Sequence, residues 1–204
     1  MLISLLPLAS ALAVAPTHAP TLIAEPAPIT SMLSVKELLN EDRFKYEYVE
    51  AEIVLGDGTG FSVAGSYRLQ DNWFLTGRVQ FYEVDIGPVD PDLTSLSAGV
   101  TYVHSIQENF DVLGTAELDY INIDADGFGS DDDLGLLFRG GARYAFTEEW
   151  EAFGGVGFRT AFDDNEITLD LGGRYLINED LEAQVSVDFG DDLTLVQLGV
   201  RYRF

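Results

Sequence analysis

From Phe44 to the C-terminus, apolar residues alternate with polar or small residues in ten successive runs. The runs cover residues 48–55, 61–69, 73–84, 94–104, 110–121, 134–146, 150–162, 166–177, 181–189 and 193–204. An alternation with a period of two is typical of β-strands that have one apolar face, whereas an amphipathic helix repeats every 3.6 residues. Each run is about as long as the 9–11 residues with which a tilted strand crosses a bilayer. The pattern predicts an all-β protein, with no long helix after Arg43.

The residue types on the polar face distinguish two kinds of β-protein. A soluble sandwich or lipocalin-like barrel turns its apolar face inward, whereas an outer-membrane barrel turns that face towards lipid and encloses the polar side chains. The basic residues of the predicted strands are all arginines, and no lysine follows Lys45. Arginine is favoured where charges must pair in a confined space, and lysine is the more strongly hydrated residue. We therefore predict a closed antiparallel up-and-down transmembrane β-barrel with ten strands.

The polar face predicts a lumen lined by paired charges. The predicted charge ladder comprises Arg68, Arg78, Arg139, Arg143, Arg159, Arg174, Arg201, Arg203, Glu117, Asp119, Asp170 and Glu182. The same face carries further acids: Glu50, Glu52, Asp111, Glu151 and Asp188. Opposite charges enclosed at low dielectric need partners, so we expect clusters such as Glu182 with Arg174 and Arg201. Several glycines on this face leave room for the long side chains.

Connection lengths and aromatic residues give the barrel an orientation. Short connections at 70–72, 105–109, 147–149 and 178–180 alternate with a second set at 56–60, 85–93, 122–133, 163–165 and 190–192. Short turns are typical of the periplasmic side and longer loops of the outer side. The aromatic residues predicted next to the short turns are Tyr67, Trp73, Tyr102, Phe110, Tyr144, Phe146, Trp150, Tyr175, Tyr202 and Phe204. They predict an aromatic belt at the periplasmic interface of the membrane.

The first 43 residues predict export. Residues 1–24 carry no formal charge, and the apolar stretch 2–15 is shorter than the roughly 20 residues of a membrane-spanning helix. It fits a signal peptide over residues 1–19, cleaved near 13–19. Residues 20–43 read as a Pro/Ala-rich periplasmic lead-in with a short helix, because Ser34 and Glu37 have the spacing of a capping box. The barrel is then expected over residues 44–204.

Composition excludes several classes of function. The chain has 11 Lys+Arg against 35 Asp+Glu, a net charge of −24, which argues against nucleic acid as a partner. There is no cysteine, so thiol chemistry and disulfides are excluded. Of the two histidines, His18 leaves with the predicted signal peptide, and His104 falls on the lipid-facing parity at a periplasmic strand end. We therefore predict no catalytic residue and no enzyme activity.

Acidic residues concentrate in one predicted outer loop, which contains Asp124, Asp126, Asp131, Asp132 and Asp133. Dense carboxylates are ligands of the kind that Ca²⁺ and Mg²⁺ take. The spacing matches the Ca²⁺-loop motif only in part and lacks its terminal Glu. A hydrated, self-repelling loop is the favoured interpretation, so no cofactor and no metal are predicted, and Ca²⁺ or Mg²⁺ at these loops is the alternative.

The final strand carries a resemblance to a known family. The sequence Val200-Arg201-Tyr202-Arg203-Phe204 ends in Phe with an aromatic residue at the alternate position before it. Because of this terminal pattern, the segment 46–204 resembles members of the small outer-membrane β-barrel domain family, which includes opacity-type porin-like proteins of Gram-negative bacteria. The resemblance implies that the barrel assembly machinery reads Tyr202 and Phe204 during insertion. Many members have eight strands, so eight is the alternative to ten.

Three functions remain open at the level of sequence. A ten-stranded barrel is narrow, so paired charges are expected to occlude it. The leading hypothesis is an integral outer-membrane protein with a structural or surface-interacting role. A narrow channel for small ions or solutes is the alternative, and a lipid-modifying or proteolytic barrel enzyme is the least favoured. The expected partners are outer-membrane lipids and lipopolysaccharide, for a monomer.

Overall fold

Ten strands close into one barrel in the computed structural model, which describes residues 44–84, 91–125, 129–162, 164–190 and 193–204. The strands are β1 Tyr48–Gly56, β2 Gly58–Gln70, β3 Trp73–Val84, β4 Asp92–Gln107, β5 Phe110–Ala125, β6 Gly129–Ala145, β7 Trp150–Ala161, β8 Asp164–Leu176, β9 Leu181–Phe189 and β10 Thr194–Arg203. Each strand pairs antiparallel with its neighbours in sequence, and β10 closes the barrel on β1. The prediction of ten strands is confirmed, and the alternative of eight is wrong.

The predicted signal peptide (1–19) and lead-in (20–43) lie outside the described residues. Among the residues that the structure describes, no helix is long and apolar enough to cross a membrane.

The barrel is polar inside and apolar outside. Large apolar side chains face outward, as shown by Leu134 at 62% and Val156 at 54% exposure. Charged side chains face inward, with Glu50 at 1% and Asp119 at 0%. A water-soluble fold would bury the first set and expose the second, because apolar surface is expelled from water. This arrangement is stable only where hydrocarbon surrounds the barrel, and the closed sheet satisfies the backbone there.

Around the start of β1, the apolar residues change from even positions, as in Tyr46 and Tyr48, to odd positions from Val49 onward. Val49, Ala51 and Ile53 point to the outside, while Tyr48 and the glutamates that follow it point to the lumen. Tyr48 lies opposite Ser66 of β2 and Arg203 of β10, both of which face inward. The aromatic residues at the start of this segment therefore belong to the inner face.

The four residues before β1 enter the periplasmic mouth of the barrel. Tyr46 is 8% exposed and packs with Phe74 and Val103, and Phe44 and Leu113 complete this cluster. The rings of Tyr46 and Phe74 are 5.1 Å apart. We call residues 44–47 the entry segment. It covers the side of the mouth formed by β3, β4 and β5.

The longest hairpin stands on the outer side. The ladder between β5 and β6 continues to Ala125 opposite Gly129, with Asp124 opposite Ser130 and Ile123 opposite Asp131. The predicted bounds of this connection, 122–133, are therefore wrong, because β5 continues to Ala125 and β6 begins at Gly129; residues 126–128 lie outside the description. The backbone is paired within the hairpin, so the acidic side chains are displayed by an ordered ladder.

Aromatic rings on the outer surface pair next to the periplasmic turns. Trp73 contacts Tyr102 with ring centroids 5.0 Å apart, and Trp150 contacts Tyr175 at 4.9 Å. These four side chains are all exposed on the lipid-facing side. Amphipathic rings favour the boundary between headgroups and hydrocarbon, so this belt marks the membrane interface at the end of the barrel with the short turns.

Candidate functional site

A carboxylate with two arginines forms the centre of the periplasmic half of the lumen. The Nε and Nη2 atoms of Arg143 donate hydrogen bonds of 2.7 Å each to the two carboxylate oxygens of Glu151. Nη1 of Arg174 donates to the same carboxylate at 2.8 Å. Two-point contacts between a guanidinium and a carboxylate fix geometry as well as charge. The cluster ties β6, β7 and β8 together across the inner wall.

The entry segment is held on this cluster by aromatic contacts. The Arg143 guanidinium lies 4.9 Å from the ring centroid of Phe44 and 4.6 Å from that of Tyr46. The Tyr46 hydroxyl donates a 2.7 Å hydrogen bond to the Asp111 carboxylate. Tyr46 precedes the first membrane-spanning strand, and burial raises the pKa of its phenol above the ordinary value. Arg143 is thus a single residue that joins the charge cluster to the aromatic one.

A second cluster spans the closure of the barrel. Arg201 of β10 binds Glu50 of β1 with an N–O distance of 2.5 Å. Arg78 reaches across from β3 to Glu50 at 3.4 Å and to Glu52 at 3.1 Å. Glu52 also accepts hydrogen bonds from Ser62 and Gln184. Because Glu50 and Glu52 are buried, these partners replace the water that the carboxylates lose.

The expected cluster of Glu182 with Arg174 and Arg201 is wrong in its partners. Glu182 binds Arg203, with an N–O distance of 3.1 Å. Arg203 also donates a 2.7 Å hydrogen bond to the backbone carbonyl of Glu179 in the last periplasmic turn. Glu182 lies opposite Arg201 in the ladder, but Arg201 extends to β1 instead. An arginine side chain is long enough to reach past the residue opposite it in the ladder. Inward-facing residues can therefore pair with residues other than their direct ladder partners.

The outer half of the lumen holds its arginines more loosely. Arg159 contacts Asp119 at 2.8 Å and Glu166 at 3.1 Å, and its side chain is 19% exposed. Arg139 is 35% exposed and is 4.0 Å from Glu117. The buried arginine side chains of the periplasmic half are 4–9% exposed, as in Arg201 and Arg174. The two halves therefore differ in how completely each charge is partnered.

Two cavities occupy the lumen. The periplasmic one has a volume of about 170 Å³ and is bounded by Tyr46, Phe74 and Arg143. The outer one has a volume of about 240 Å³ and reaches Leu193 next to the last outer connection. Their common lining residues are Tyr48, Arg139, Phe153, Asp170, Arg174 and Arg201. These side chains form the constriction between the cavities.

The twelve predicted ladder residues do not form one network. Arg68 lies at the periplasmic rim, where its half-exposed side chain is 3.4 Å from Glu47. Asp170 lies at the constriction and lines both cavities, and among the described residues it makes no hydrogen bond or ion pair. The other ten residues make the contacts given above. The sequence interpretation missed Phe44 and Tyr46, although their opposite parity to Val49 was the available signal.

The remaining sequence predictions concern the chain end, histidine and metal. Tyr202 and Phe204 are exposed on the outer surface, and their ring centroids are 6.4 Å apart. His104 is exposed on the lipid-facing side of β4. Across the described part of the chain, no group of three or more His, Asp or Glu side chains is placed to hold a metal ion. The assembly role of Tyr202 and Phe204 stays a prediction.

The closed, inside-out barrel and its buried ion pairs define an outer-membrane β-barrel protein of the porin-like type. A family profile described as "Outer membrane protein beta-barrel domain" matches residues 41–204, and the chain belongs to this family. Membership places the protein in the outer membrane. A search of curated protein sequences found no match.

Solved structures of outer-membrane barrels align with this chain, and the one with a TM-score above 0.5 shows the same fold. The NanC porin aligns with a TM-score of 0.51 and 9% identity, over 78% of this chain and 100% of that one. The KdgM porin aligns with a TM-score of 0.48 and 16% identity, over 77% and 99%. Neisserial surface protein A aligns with a TM-score of 0.43 and 19% identity, over 77% and 96%. At these identities the likeness extends to the fold alone.

Proposed function

We propose that the protein is an outer-membrane barrel whose lumen is closed towards the periplasm, with a structural or surface-interacting role. The observation that carries this proposal is the position of Arg143, whose guanidinium is bound to Glu151 on one side and to the rings of the entry segment on the other. The aromatic side chains of the entry segment pack against β3, β4 and β5, and the ion pairs of Arg143, Glu151 and Arg174 lie on β6, β7 and β8.

Opening the closed periplasmic mouth has a high cost in free energy. Separating Arg143 from Glu151 leaves the buried Arg143 guanidinium without a carboxylate partner, while Glu151 keeps its contact with Arg174. Leaving a buried charge unpaired costs about 3–5 kcal/mol. Displacing the entry segment also exposes the Tyr46 ring and breaks its bond to Asp111. An occluded barrel leaves the outer side as the part of the protein that meets partners. The β5–β6 hairpin is the longest element there.

Conductance tests this closure directly. We expect the purified protein in planar bilayers to give no stable current above that of the bare membrane. Large, stable currents from the unaltered protein would contradict the proposal. A Phe44→Gly/Tyr46→Gly variant should conduct more than the unaltered protein, because it removes the rings that contact Arg143 and pack in the mouth.

The matched control is Lys45→Gly/Glu47→Gly. These two side chains belong to the same segment but pair at the rim, Lys45 with Asp180 and Glu47 with Arg68. Currents from the Phe44/Tyr46 variant alone support the entry segment as the seal. Equal currents from both variants would show that the rings do not form it.

The second candidate is a narrow channel for small ions or solutes. It is favoured by one observation, that the two lumenal cavities share lining residues and are separated only by side chains. Swelling of proteoliposomes in small solutes distinguishes the two functions. Swelling with the unaltered protein would favour the channel.

The same proposal includes export, assembly and surroundings. Residues 1–19 act as a cleaved signal peptide, residues 20–43 remain as a periplasmic lead-in, and Tyr202 and Phe204 are read by the barrel assembly machinery. The protein is monomeric, contacts outer-membrane lipids and lipopolysaccharide, has no enzyme activity and needs no cofactor. Mass measurement of the mature protein tests the cleavage site, and Phe204→Ser tests assembly through the yield of folded, heat-modifiable protein in membranes.

A further inference from the structure

The outer cavity of the lumen is lined by side chains of both charges. Arginines reach it from β3, β6, β7, β8 and β10, and acids reach it from β1, β8 and β9. Most of these charges are partnered, because Arg78 binds Glu50 and Glu52, and Arg159 binds Asp119 as well as Glu166. The charges that remain determine what the cavity can bind.

One guanidinium remains incompletely partnered. In the described part of the chain, the only ion pair of Arg139 is the 4.0 Å contact with Glu117, and Arg139 donates no hydrogen bond. Its side chain is 35% exposed to the lumen. A guanidinium has five N–H donors in a planar fork, which matches the two oxygens of a carboxylate. Arg139 therefore presents an anion-binding group to the cavity.

Two carboxylates lie together on β8 and β9, and only the strand β7 separates β8 from the strand of Arg139. Asp170 of β8 lies directly across the ladder from Asp188 of β9, and both line the outer cavity. Asp188 accepts a 2.6 Å hydrogen bond from Gln197, while Asp170 has no hydrogen-bond or ion-pair partner among the described residues. Like charges directly opposite each other destabilise a sheet, and a cation placed between them would offset that repulsion.

Glycines on β7 form the floor between Arg139 and Asp170. Arg139 lies opposite Gly157, and Asp170 lies opposite Gly155. A Cβ atom added at Gly155 would be 3.0 Å from Oδ1 of Asp170, and one added at Gly157 would be 3.6 Å from Cγ of Arg139. Both side chains thus lean over the same strand from its two sides. They form no ion pair with each other, which leaves a gap between opposite charges.

We propose that this gap binds a small zwitterion of the α-amino-acid class. The guanidinium of Arg139 takes the carboxylate, and Asp170 with Asp188 takes the ammonium group. An anion alone would leave both carboxylates without a cation, and a cation alone would leave Arg139 unpaired. The cavity volume of about 240 Å³ is sufficient for such a solute.

The negative charge at the outer side of the barrel determines how strongly different amino acids should bind. The described residues at the outer ends of the strands include Asp57, Asp92, Asp124, Asp131, Asp132, Asp133 and Asp164. This rim repels anions before they reach the cavity. A basic amino acid should therefore bind better than a neutral one, and a neutral one better than an acidic one.

Calorimetric titration of the protein refolded in detergent micelles tests the site. The probes are L-lysine, L-alanine, L-glutamate, acetate and ethylammonium. We expect saturable binding of lysine and alanine with one site per chain. Acetate and ethylammonium should each bind at least about tenfold more weakly, since each lacks one of the two charges. Acetate binding as well as alanine, or no saturable amino-acid binding at all, would overturn the proposal.

Two variants locate the site, and one serves as control. Arg139→Gln and Asp170→Asn should each weaken alanine binding by about tenfold or more, because each removes one charged contact. Arg68→Gln should leave the affinity unchanged, since Arg68 lies at the periplasmic rim. Heat-modifiable migration on gels checks that all three fold. Unchanged affinity in folded Arg139→Gln and Asp170→Asn would refute this site.

This test is independent of the proposed function. Binding to a non-conducting protein supports both proposals. Binding to a protein that conducts in bilayers would refute closure but keep the amino-acid site. A non-conducting protein without binding would keep closure and refute the site.

Discussion

The two halves of the lumen use the same residue types in different ways. At the periplasmic end, Arg143 is 5% exposed, binds Glu151 at two points and stacks on two rings. In the outer half, Arg139 faces the same lumen but is 35% exposed, with one contact of 4.0 Å. Desolvated, fully partnered charges lock a structure, whereas exposed and loosely held charges remain available to a ligand. The difference separates a seal from an accessible cavity.

The largest difference between the halves should appear in stability. Glu151→Gln leaves the buried guanidinium groups of Arg143 and Arg174 without their shared carboxylate. We expect a loss of about 3–5 kcal/mol in the free energy of unfolding. Urea unfolding in lipid vesicles, followed by tryptophan fluorescence, measures it.

The matched change in the outer half is Glu166→Gln. The Glu166 side chain is 34% exposed, and Arg159 keeps Asp119 as its partner at 2.8 Å. The expected loss is about 1 kcal/mol or less, as for exposed ion pairs. Equal losses in the two variants would remove the distinction between a seal and a cavity.

A second comparison uses one hydroxyl in each half. Tyr46→Phe removes the hydrogen bond to Asp111, whose other oxygen has no partner among the described residues. The expected loss is about 1–3 kcal/mol in the free energy of unfolding, because a buried carboxylate becomes unsatisfied. Tyr82→Phe, in the outer cavity, removes a hydroxyl that makes no hydrogen bond in the described chain and should change little. Chemical unfolding of both variants under the same conditions compares them.

Accessibility to a thiol reagent sharpens the same contrast. The chain has no cysteine, so single substitutions report one position each. Gln80→Cys faces the outer cavity, and Ser66→Cys faces the periplasmic one at 6% exposure. We expect Gln80→Cys to react at least about tenfold faster, since a buried site must open before it reacts. Comparable labelling rates, measured with a charged methanethiosulfonate, would contradict a sealed periplasmic half.

The smallest expected effect is a dependence on alkaline pH. Burial raises the pKa of Tyr46, so above the ordinary value of 10.0 the unfolded chain releases this proton first. The contribution of Tyr46 to the free energy of unfolding is therefore fully present below that pH. It decreases as the pH rises above it, by at most about 1.4 kcal/mol per pH unit. The stability difference between the unaltered protein and Tyr46→Phe should be constant below pH 10 and should shrink above it. A constant difference at all pH values would contradict a buried, neutral phenol.

The sequence predicts the barrel well because alternation is a local property. The predicted bounds 73–84 and 181–189 are those of β3 and β9. The predicted outer ends of the strands are less accurate. Polar residues such as Asn122 and Asp131 continue the hydrogen-bonded ladder beyond the membrane, where lipid-facing apolar residues no longer alternate with polar ones. Hydrogen bonding between neighbours can extend a hairpin beyond the membrane without any apolar signal.

The lumen is predictable in composition but not in pairing. Parity assigns Glu182 and Arg201 to the inner face, but it does not show that Glu182 binds Arg203 while Arg201 binds Glu50. These choices depend on barrel closure and on the reach of long side chains, which span several register steps. The insertion of Tyr46 likewise depends on the shape of the mouth, which exists only after the strands have closed.

Enclosure of the basic residues determines how the folded protein responds to reagents applied from outside the cell. Beyond Lys45, the basic residues are all arginines, which lie on the inner wall or at the periplasmic rim. The outer connections contain no lysine or arginine. A protease of trypsin specificity therefore finds no cleavage site on the outward surface, and amine-directed labels find no lysine there. Only after the barrel is dismantled do these positions become substrates.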